Sequence, residues 1–193
     1  LDGLILFRQE SMYYLTGYDT SGYSMFQAGF ISADGKTALL TRSADQIQSS
    51  LTSIFEEIRI WRDGEDADPG KALREMLVDL GCKGKKLGVE YHAYGLTGQR
   101  SKMVDKALEP FASLVDASDL VRVQRLVKSN AELEYIRHAG TLCDAIFKVS
   151  CDLAVPGVWV KSIYGAMMKT ILDGGGDPSA SRWPMGAGEY ALF

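Results

Sequence analysis

The sequence has few of the residues that build the commonest metal and redox sites. Only two histidines, His92 and His138, occur among its 193 residues, and its three cysteines form no Cys-x-x-Cys pair. This cysteine usage predicts neither a disulfide framework nor a zinc knuckle. No His-Glu-x-x-His motif occurs either, so no complete metal site is visible. We expect reduced thiols, and neither a metal nor another cofactor bound by this stretch of chain.

The sequence also lacks a strong charge bias and a long apolar run. Its 21 basic and 25 acidic side chains give a net charge of -4 and are interspersed along the chain. This balance does not provide the basic surface that nucleic acid requires. No apolar run approaches the roughly 18 residues of a membrane span, and the start lacks the layout of a signal peptide. We therefore expect a soluble, cytoplasmic protein with no nucleic acid or membrane partner.

What the sequence does contain is an ordinary globular composition. Apolar residues make up 46% and charged residues 24% of the chain, which is long enough to bury a real core. The first residue is Leu1, and the last, Phe193, falls within an unfinished pattern. These ends predict that the sequence is a fragment of a longer chain.

Short apolar runs alternate with amphipathic segments as far as Asp119. Asp34-Gly35 lies between two of these runs and predicts a tight hairpin, which requires antiparallel neighbours. The fold class predicted is α/β, a mixed β-sheet covered by helices. The expected strands are 4–7, 25–32, 37–41, 58–61, 87–91 and 114–115, and the expected helices are 43–53, 69–80 and 97–108.

Beyond Asp119 the pattern indicates helices. A long amphipathic helix is expected over 131–153, followed by a break at Pro156-Gly157 and a second helix over 160–172. The glycines 174–176 should end that helix, and 182–193 should begin a pair of strands. We predict two domains, 1–121 and 122–193, of which the second is incomplete.

Two motifs favour an ordinary structural explanation over a binding site. The acidic run 63–68 lacks the sixth-position glycine and the distant closing glutamate of an EF-hand calcium-binding loop. We interpret it as a solvated loop that caps the helix beginning at Pro69. Gly186-Ala187-Gly188 is at best a fragment of a dinucleotide-binding pattern, because the given sequence ends before the other parts of that pattern could be tested.

The tyrosine-rich stretch 11–23, SMYYLTGYDTSGY, leaves two interpretations open. Its first half, through Gly17, predicts a short helical turn, and its second half predicts an exposed loop. The tyrosines could merely cover the edge of the sheet while their hydroxyls stay in water. Alternatively, Tyr18, Thr20 and Tyr23 form a surface that faces a ligand or a partner, because aromatic side chains make contact area at low entropic cost.

The order of segments resembles the creatinase/prolidase family, also called the pita-bread metallohydrolases. The resemblance rests on Asp-Gly-Leu-Ile-Leu-Phe at 2–7, Tyr-Tyr-Leu-Thr-Gly at 13–17 and Leu-Gly-Val-Glu-Tyr at 87–91. Its most specific part is RLVKSNAELEYIRHA at 125–139, which is similar to the family's Lys-Ser-x-x-Glu pattern at the start of the catalytic domain. Within the family, the sequence most resembles members such as ectoine hydrolase and creatinase-like amidohydrolases.

The resemblance implies a creatinase-like N-terminal domain and the first helices of an α+β pita-bread domain. It implies hydrolysis of a C–N bond in a small amide, a dipeptide or a cyclic compound such as ectoine. For the full-length parent the resemblance implies either a divalent metal, Mn, Co or Zn, or metal-free catalysis through a histidine base as in creatinase. In both cases it implies that every catalytic residue and metal ligand lies downstream of Phe193. The fragment alone should then be inactive, and a non-catalytic dimerisation or ligand-binding module is the alternative.

The resemblance also implies a homodimer in which the N-terminal domain of one subunit reaches the catalytic mouth of the other. Tyr18, Thr20 and Tyr23 would then face the partner's substrate, and Met185 and Glu189 would lie at a strand that lines the pocket. Tyr18→Ala or Tyr23→Ala should on this view change KM far more than stability.

Overall fold

The computed structural model describes residues 1–179 and 183–192. The chain divides into two compact units, Leu1–Leu126 and Val127–Phe193. The predicted limits 1–121 and 122–193 stay a prediction, and a short helix spans that boundary.

The first unit is built on one six-stranded mixed sheet in the order β4-β3-β2-β1-β5-β6. Strand β2 pairs antiparallel with β1 and β3, whereas the β3–β4, β1–β5 and β5–β6 pairs are parallel. The predicted hairpin joins β2 to β3, with Gly35 at a φ of +94°. The predicted fold class is confirmed. The strands are β1 Gly3–Leu6, β2 Ala28–Ser32, β3 Thr37–Arg42, β4 Glu57–Trp61, β5 Lys86–Val89 and β6 Ser113–Asp116.

Four α-helices connect these strands, and a fifth follows β6. Two begin with side-chain caps: Asp68 accepts a hydrogen bond from the Lys71 amide at 2.9 Å, and Thr97 accepts one from the Arg100 amide at 3.4 Å. The capping role predicted for the end of the acidic run is therefore confirmed. The helices are α1 Gln9–Thr16, α2 Gln46–Thr52, α3 Pro69–Asp79, α4 Gly98–Leu108 and α5 Leu120–Gln124, and a 3-10 turn, Ser43–Asp45, precedes α2.

The core lies on both faces of the sheet because strand side chains alternate in direction. In β1, Ile5 joins the cluster formed with α3 and α4, whereas Leu4 and Leu6 join the cluster that contains Met12 of α1 and Val121 of α5. The sheet is thus covered by helices on both sides.

The second unit begins with the long helix α6, Asn130–Leu153. Ser129 and Glu132 form a reciprocal capping box at its start, one residue before the predicted start at 131. Helix α7 spans Val160–Asp173, and the Gly176 amide donates to the Ile171 carbonyl at 3.0 Å just beyond it. A Cβ on Gly176 would stand 2.8 Å from the Leu142 side chain, so the glycine run allows a close approach to α6.

The strand pair expected over 182–193 is wrong for the residues described. Arg182 and Phe193 lie outside them, and residues 183–192 contain no strand. Gly188–Leu192 forms a 3-10 helix instead, while the Trp183 ring packs 5.4 Å from the ring of Tyr164 on α7. A strand needs a hydrogen-bonded neighbour, and the described part of this unit contains none.

No helix among the described residues is both long and apolar enough to cross a membrane.

Candidate functional site: a tyrosine-bearing loop at one end of the sheet

Three loops meet at the end of the sheet where β1 and β5 finish and β2 begins. Leu6 at the end of β1 faces Gly29 of β2, so the loop 17–27 that leads into β2 crosses this end. The loop after β5 contacts the end of β1 through Glu90, which accepts a hydrogen bond from the Phe7 amide. The loop after β6 contacts the loop after β5 through Ser118, whose hydroxyl oxygen accepts from the His92 amide at 3.1 Å. The tyrosine stretch therefore lies at the end of the sheet where chain segments from distant parts of the sequence converge.

Glu90 holds this end of the sheet together from the inside. Its side chain is 0% exposed, and one carboxylate oxygen accepts hydrogen bonds from the Phe7 and Arg8 amides, both at 3.1 Å. The other oxygen accepts from the Ser11 hydroxyl at 2.6 Å. These donors sit at the start of α1, so Glu90 ties α1 to β5. Burial raises the pKa of Glu90, against the lowering effect of the Ser11 hydroxyl and the two amides.

The first half of the tyrosine stretch is a helix, as the sequence predicts. It forms the last two turns of α1, and Gly17 ends the helix at a φ of +76° with its amide donating to the Tyr13 carbonyl at 2.8 Å. Such a left-handed residue is the usual glycine end of a helix. The chain is thereby turned across the end of the sheet.

Tyr18 is buried, and the expectation that it faces a substrate is wrong. Its side chain is 0% exposed, and its hydroxyl lies within hydrogen-bond reach of Gln27 Oε1 and of Thr41 Oγ1. Burial raises the pKa of the Tyr18 phenol. A buried hydroxyl needs polar partners inside the protein. Gln27, directly before β2, and Thr41, on β3, provide them. No ligand can touch this side chain in the fold described.

Thr20 is also turned inward, with 6% of its surface exposed. Its hydroxyl donates to Asp45 Oδ1 at 2.8 Å and accepts from the Gly22 amide at 2.9 Å. Arg42 binds the other oxygen of Asp45 at 2.9 Å, which supplies the charge partner that a buried carboxylate needs. Thr20 therefore stabilises the loop through buried hydrogen bonds. This corrects the expectation that its side chain contacts a substrate.

Tyr23 is the exposed member of the predicted set. It is 47% exposed and packs edge to face, at 6.0 Å between ring centroids, against Tyr94, which is 77% exposed. We call Tyr23 and Tyr94 the tyrosine pair. Arg100 fixes the two loops that carry it by donating to the Ser24 carbonyl at 2.7 Å and to the Gly95 carbonyl at 2.9 Å. That Tyr23 faces a substrate stays a prediction.

Sequence reasoning missed Tyr94, Gln27, Glu90 and Arg100. The signal that could have found Tyr94 is its position in Glu-Tyr-His-Ala-Tyr-Gly, directly after a strand that ends beside β1. Gly95 follows it, and a Cβ there would stand 2.7 Å from the Met25 carbonyl oxygen. Only a glycine allows the two loops to approach so closely.

Met185 and Glu189 belong to the second unit. Met185 is half-buried in an irregular segment, and Glu189 is exposed on the 3-10 helix. Their contact with a substrate stays a prediction.

Among the residues that the structure describes, no group of three or more His, Cys, Asp or Glu side chains could hold a metal ion. The described residues therefore do not fit the divalent metal that the resemblance implies for the parent protein. Both histidines are exposed.

Comparison with known proteins agrees with this architecture. Solved structures with the same fold include an X-Pro aminopeptidase from Thermotoga maritima, with a TM-score of 0.69 and 20% identity over 90% of this chain and 47% of that one. A prolidase from Thermococcus sibiricus gives a TM-score of 0.72 and 16% identity over 91% of this chain and 46% of that one. The fold is thus that of the prolidase class of proteins.

Sequence comparison identifies the family. The model of the creatinase/prolidase N-terminal domain matches residues 1–127, and the chain belongs to this family. It is 31% identical to the uncharacterized hydrolase/peptidase y4tM of Sinorhizobium fredii, over 99% of this chain and 51% of that protein. It is 23% identical to the ectoine hydrolase of Halomonas elongata, over 92% of this chain and 46% of that protein. The chain spans about half the length of these curated relatives.

Proposed function

We propose that this chain is the N-terminal part of a hydrolase that cleaves a C–N bond in a small amide, a dipeptide or a cyclic compound such as ectoine. The observation that carries the proposal is that its relatives are hydrolases aligned with nearly the whole chain, including one ectoine hydrolase. The first unit supplies a sheet that presents the tyrosine pair. The hydrolytic groups, and a divalent metal such as Mn, Co or Zn where one is used, belong to the remainder of the longer protein.

The role of the tyrosine pair is to narrow the mouth of a partner subunit's pocket. Two aromatic rings whose centroids lie 6.0 Å apart provide rigid contact area and two phenol groups for hydrogen bonding, without bond-breaking chemistry. Substrate selection for small molecules follows from this narrowing. The buried Tyr18 and Thr20 keep the loop in place rather than contacting the substrate.

A homodimer is part of this proposal, and an uncharged apolar surface supports it. Ile47, Leu51 and Ile54 are exposed on and after α2, and we call them the α2 surface. Residues 46–55 contain no charged side chain, so two copies can meet there without like-charge repulsion. The same surface favours the second candidate function, a dimerisation module without catalysis of its own.

The test is to compare this chain with the longer protein encoded by the same reading frame. Both are incubated with ectoine and with Xaa-Pro dipeptides, with and without Mn²⁺, Co²⁺ or Zn²⁺, and release of the free amine is measured. We expect turnover by the longer protein only. A longer protein that binds these compounds without hydrolysing them would favour the non-catalytic module.

A further inference from the structure

Strand β4 forms one edge of the sheet in the first unit. It pairs with β3 on one side, and no other strand of residues 1–179 or 183–192 lies beside it. Because backbone N–H and C=O groups alternate in direction along a strand, some of those in Glu57–Trp61 point away from β3. β4 also contains neither proline nor lysine, which often keep an edge strand from pairing. Its outer edge is therefore suited to a strand from another chain.

The charges on β4 are one acid and one base on the same face of the sheet. Glu57 and Arg59 are two residues apart, so their side chains point in the same direction. Arg59 binds Glu57 in the same strand, and it binds Asp79 Oδ2 at the end of α3 at 2.7 Å. The Glu57 side chain remains 39% exposed. It is thus accessible to a positive charge from outside the chain.

This charge pattern selects one register for the pairing of β4 with β4 of a second copy. An antiparallel pair with a twofold axis through Ile58 places Glu57 of each copy opposite Arg59 of the other. An axis through Glu57 or through Arg59 would instead place like charges opposite each other. The other edge strand, β6, has Asp116 as its only charged residue, so two copies of it offer no ion pair.

The opposite face of β4 adds an apolar contact. Ile58 packs against the cluster that contains Met12 of α1. The α2 surface lies on this side as well, because the Ile54 amide donates to the Thr16 carbonyl of α1 at 2.9 Å. A twofold axis perpendicular to the sheet leaves the α1 faces of both copies on the same side. The two α2 surfaces therefore come together when the two β4 strands pair.

We propose that two copies of this protein associate by antiparallel pairing of β4 with β4 about Ile58, which joins their two sheets into one. Glu57 and Arg59 form ion pairs across the axis on the α3 side, and the α2 surfaces bury each other on the α1 side. This inference rests on the homodimer of the proposed function and adds its contact strand, its register and its axis.

Two charge reversals test the register. Glu57→Arg and Arg59→Glu each place like charges across the axis, so each variant alone should associate at least about tenfold more weakly than the wild type. Mixed in equal amounts, the two variants should associate at least about tenfold more tightly than either alone, because opposite charges then face each other at both positions. Glu75→Arg, the same charge reversal at an exposed position of α3, is the matched control and should stay dimeric.

Analytical ultracentrifugation of the intact protein measures these affinities, and melting curves show that each variant is folded. A Glu57→Arg protein that stays dimeric, or a mixture that stays monomeric, overturns the proposal. A monomeric wild type also overturns it and removes the homodimer from the proposed function. Hydrolysis by the longer protein is a separate measurement, so failure of the hydrolase is distinguishable from failure of this interface.

Hydrogen exchange of the wild type tests the contact strand without any substitution. Peptides that cover residues 57–61 should exchange at least about tenfold more slowly in concentrated, dimeric protein than in dilute, monomeric protein. Peptides that cover β6, the other edge, should exchange equally in both. Exchange of 57–61 that does not change with concentration while the protein dimerises would assign the interface to another surface and overturn the proposal.

Discussion

At the scale of single residues, burial separates tyrosines that the sequence makes look alike. Tyr18 and Tyr23 are five residues apart in one loop, yet one is 0% and the other 47% exposed. The difference comes from partners: Gln27 and Thr41 satisfy the Tyr18 hydroxyl inside the protein. The consequences of substitution should therefore differ in kind.

Tyr18→Ala should destabilise the protein by about 3 to 5 kcal/mol, since it removes a fully buried ring and leaves Gln27 without its phenol partner. Tyr23→Ala should change the free energy of unfolding by less than about 1 kcal/mol, because it acts on an exposed side chain. Urea unfolding followed by far-ultraviolet circular dichroism measures both. Equal losses of stability would show that Tyr23 is a packing residue, and the proposed role of the tyrosine pair would then fail.

Glu90 makes stability depend on pH in an unusual direction for a carboxylate. Its pKa is raised in the folded state, so the folded protein holds the proton more tightly than the unfolded chain does. Its contribution is complete below the ordinary glutamate pKa and is lost as pH rises through the raised value.

Glu90→Gln removes this titration while keeping the shape of the neutral side chain. We expect the stability of the wild type relative to Glu90→Gln to fall as pH rises from about 4 to about 7. Chemical unfolding of both proteins across this range measures the difference, and all other titrating groups cancel. The opposite slope would mean that the hydrogen bonds from Phe7, Arg8 and Ser11 outweigh desolvation.

At the scale of elements, sequence patterns predicted helices and strands well where the signal is local. Asp34-Gly35 carries its turn geometry within two residues, and Ser129 and Glu132 carry a helix start within four. Contacts between distant segments leave no such signal. Glu90 receives its hydrogen bonds from Phe7 and Arg8, 83 and 82 residues earlier, so its burial could not be predicted.

The lack of a local signal for contacts between distant segments also explains why the burial of Tyr18 and Thr20 in the loop 17–27 was not predicted. A stretch rich in tyrosine and threonine predicts hydroxyls that need partners, but the partners Asp45 and Thr41 lie on other elements. Helix α5 was missed because its five residues are too few to establish a helical period.

Gly95 lies where the loop after β5 approaches the loop before β2 closely. Gly95→Ala would place a Cβ 2.7 Å from the Met25 carbonyl and force the loops apart, at a cost of about 1 to 3 kcal/mol. Gly98→Ala is the matched control, since nothing lies within 4 Å of its added Cβ at the start of α4. Thermal melting compares them. A Gly95→Ala protein as stable as the control would show that the loops adjust freely.

At the scale of the whole molecule, self-association should depend on the α2 surface. We expect the wild type to sediment as a dimer, and the double variant Ile47→Glu, Leu51→Glu to sediment as a monomer, because it places charges against their own copies. Val78→Glu, which alters an exposed apolar residue on α3, should stay dimeric. Analytical ultracentrifugation distinguishes the species, and a double variant that remains dimeric would assign the contact to another surface.

The order of strands in the sheet has a consequence for synthesis on the ribosome. Strand β1 emerges from the exit tunnel before the other strands of this sheet and can pair with β2 once β2 has emerged, but its other neighbour is β5, and Asp2 meets Lys86 across 84 residues of chain. Until β5 emerges, the backbone N–H and C=O groups on the β5 side of β1 have no strand to pair with. The nascent β1–β2–β3 meander is thus an exposed template for strand addition, and we expect it to be the segment that chaperones must shield during translation.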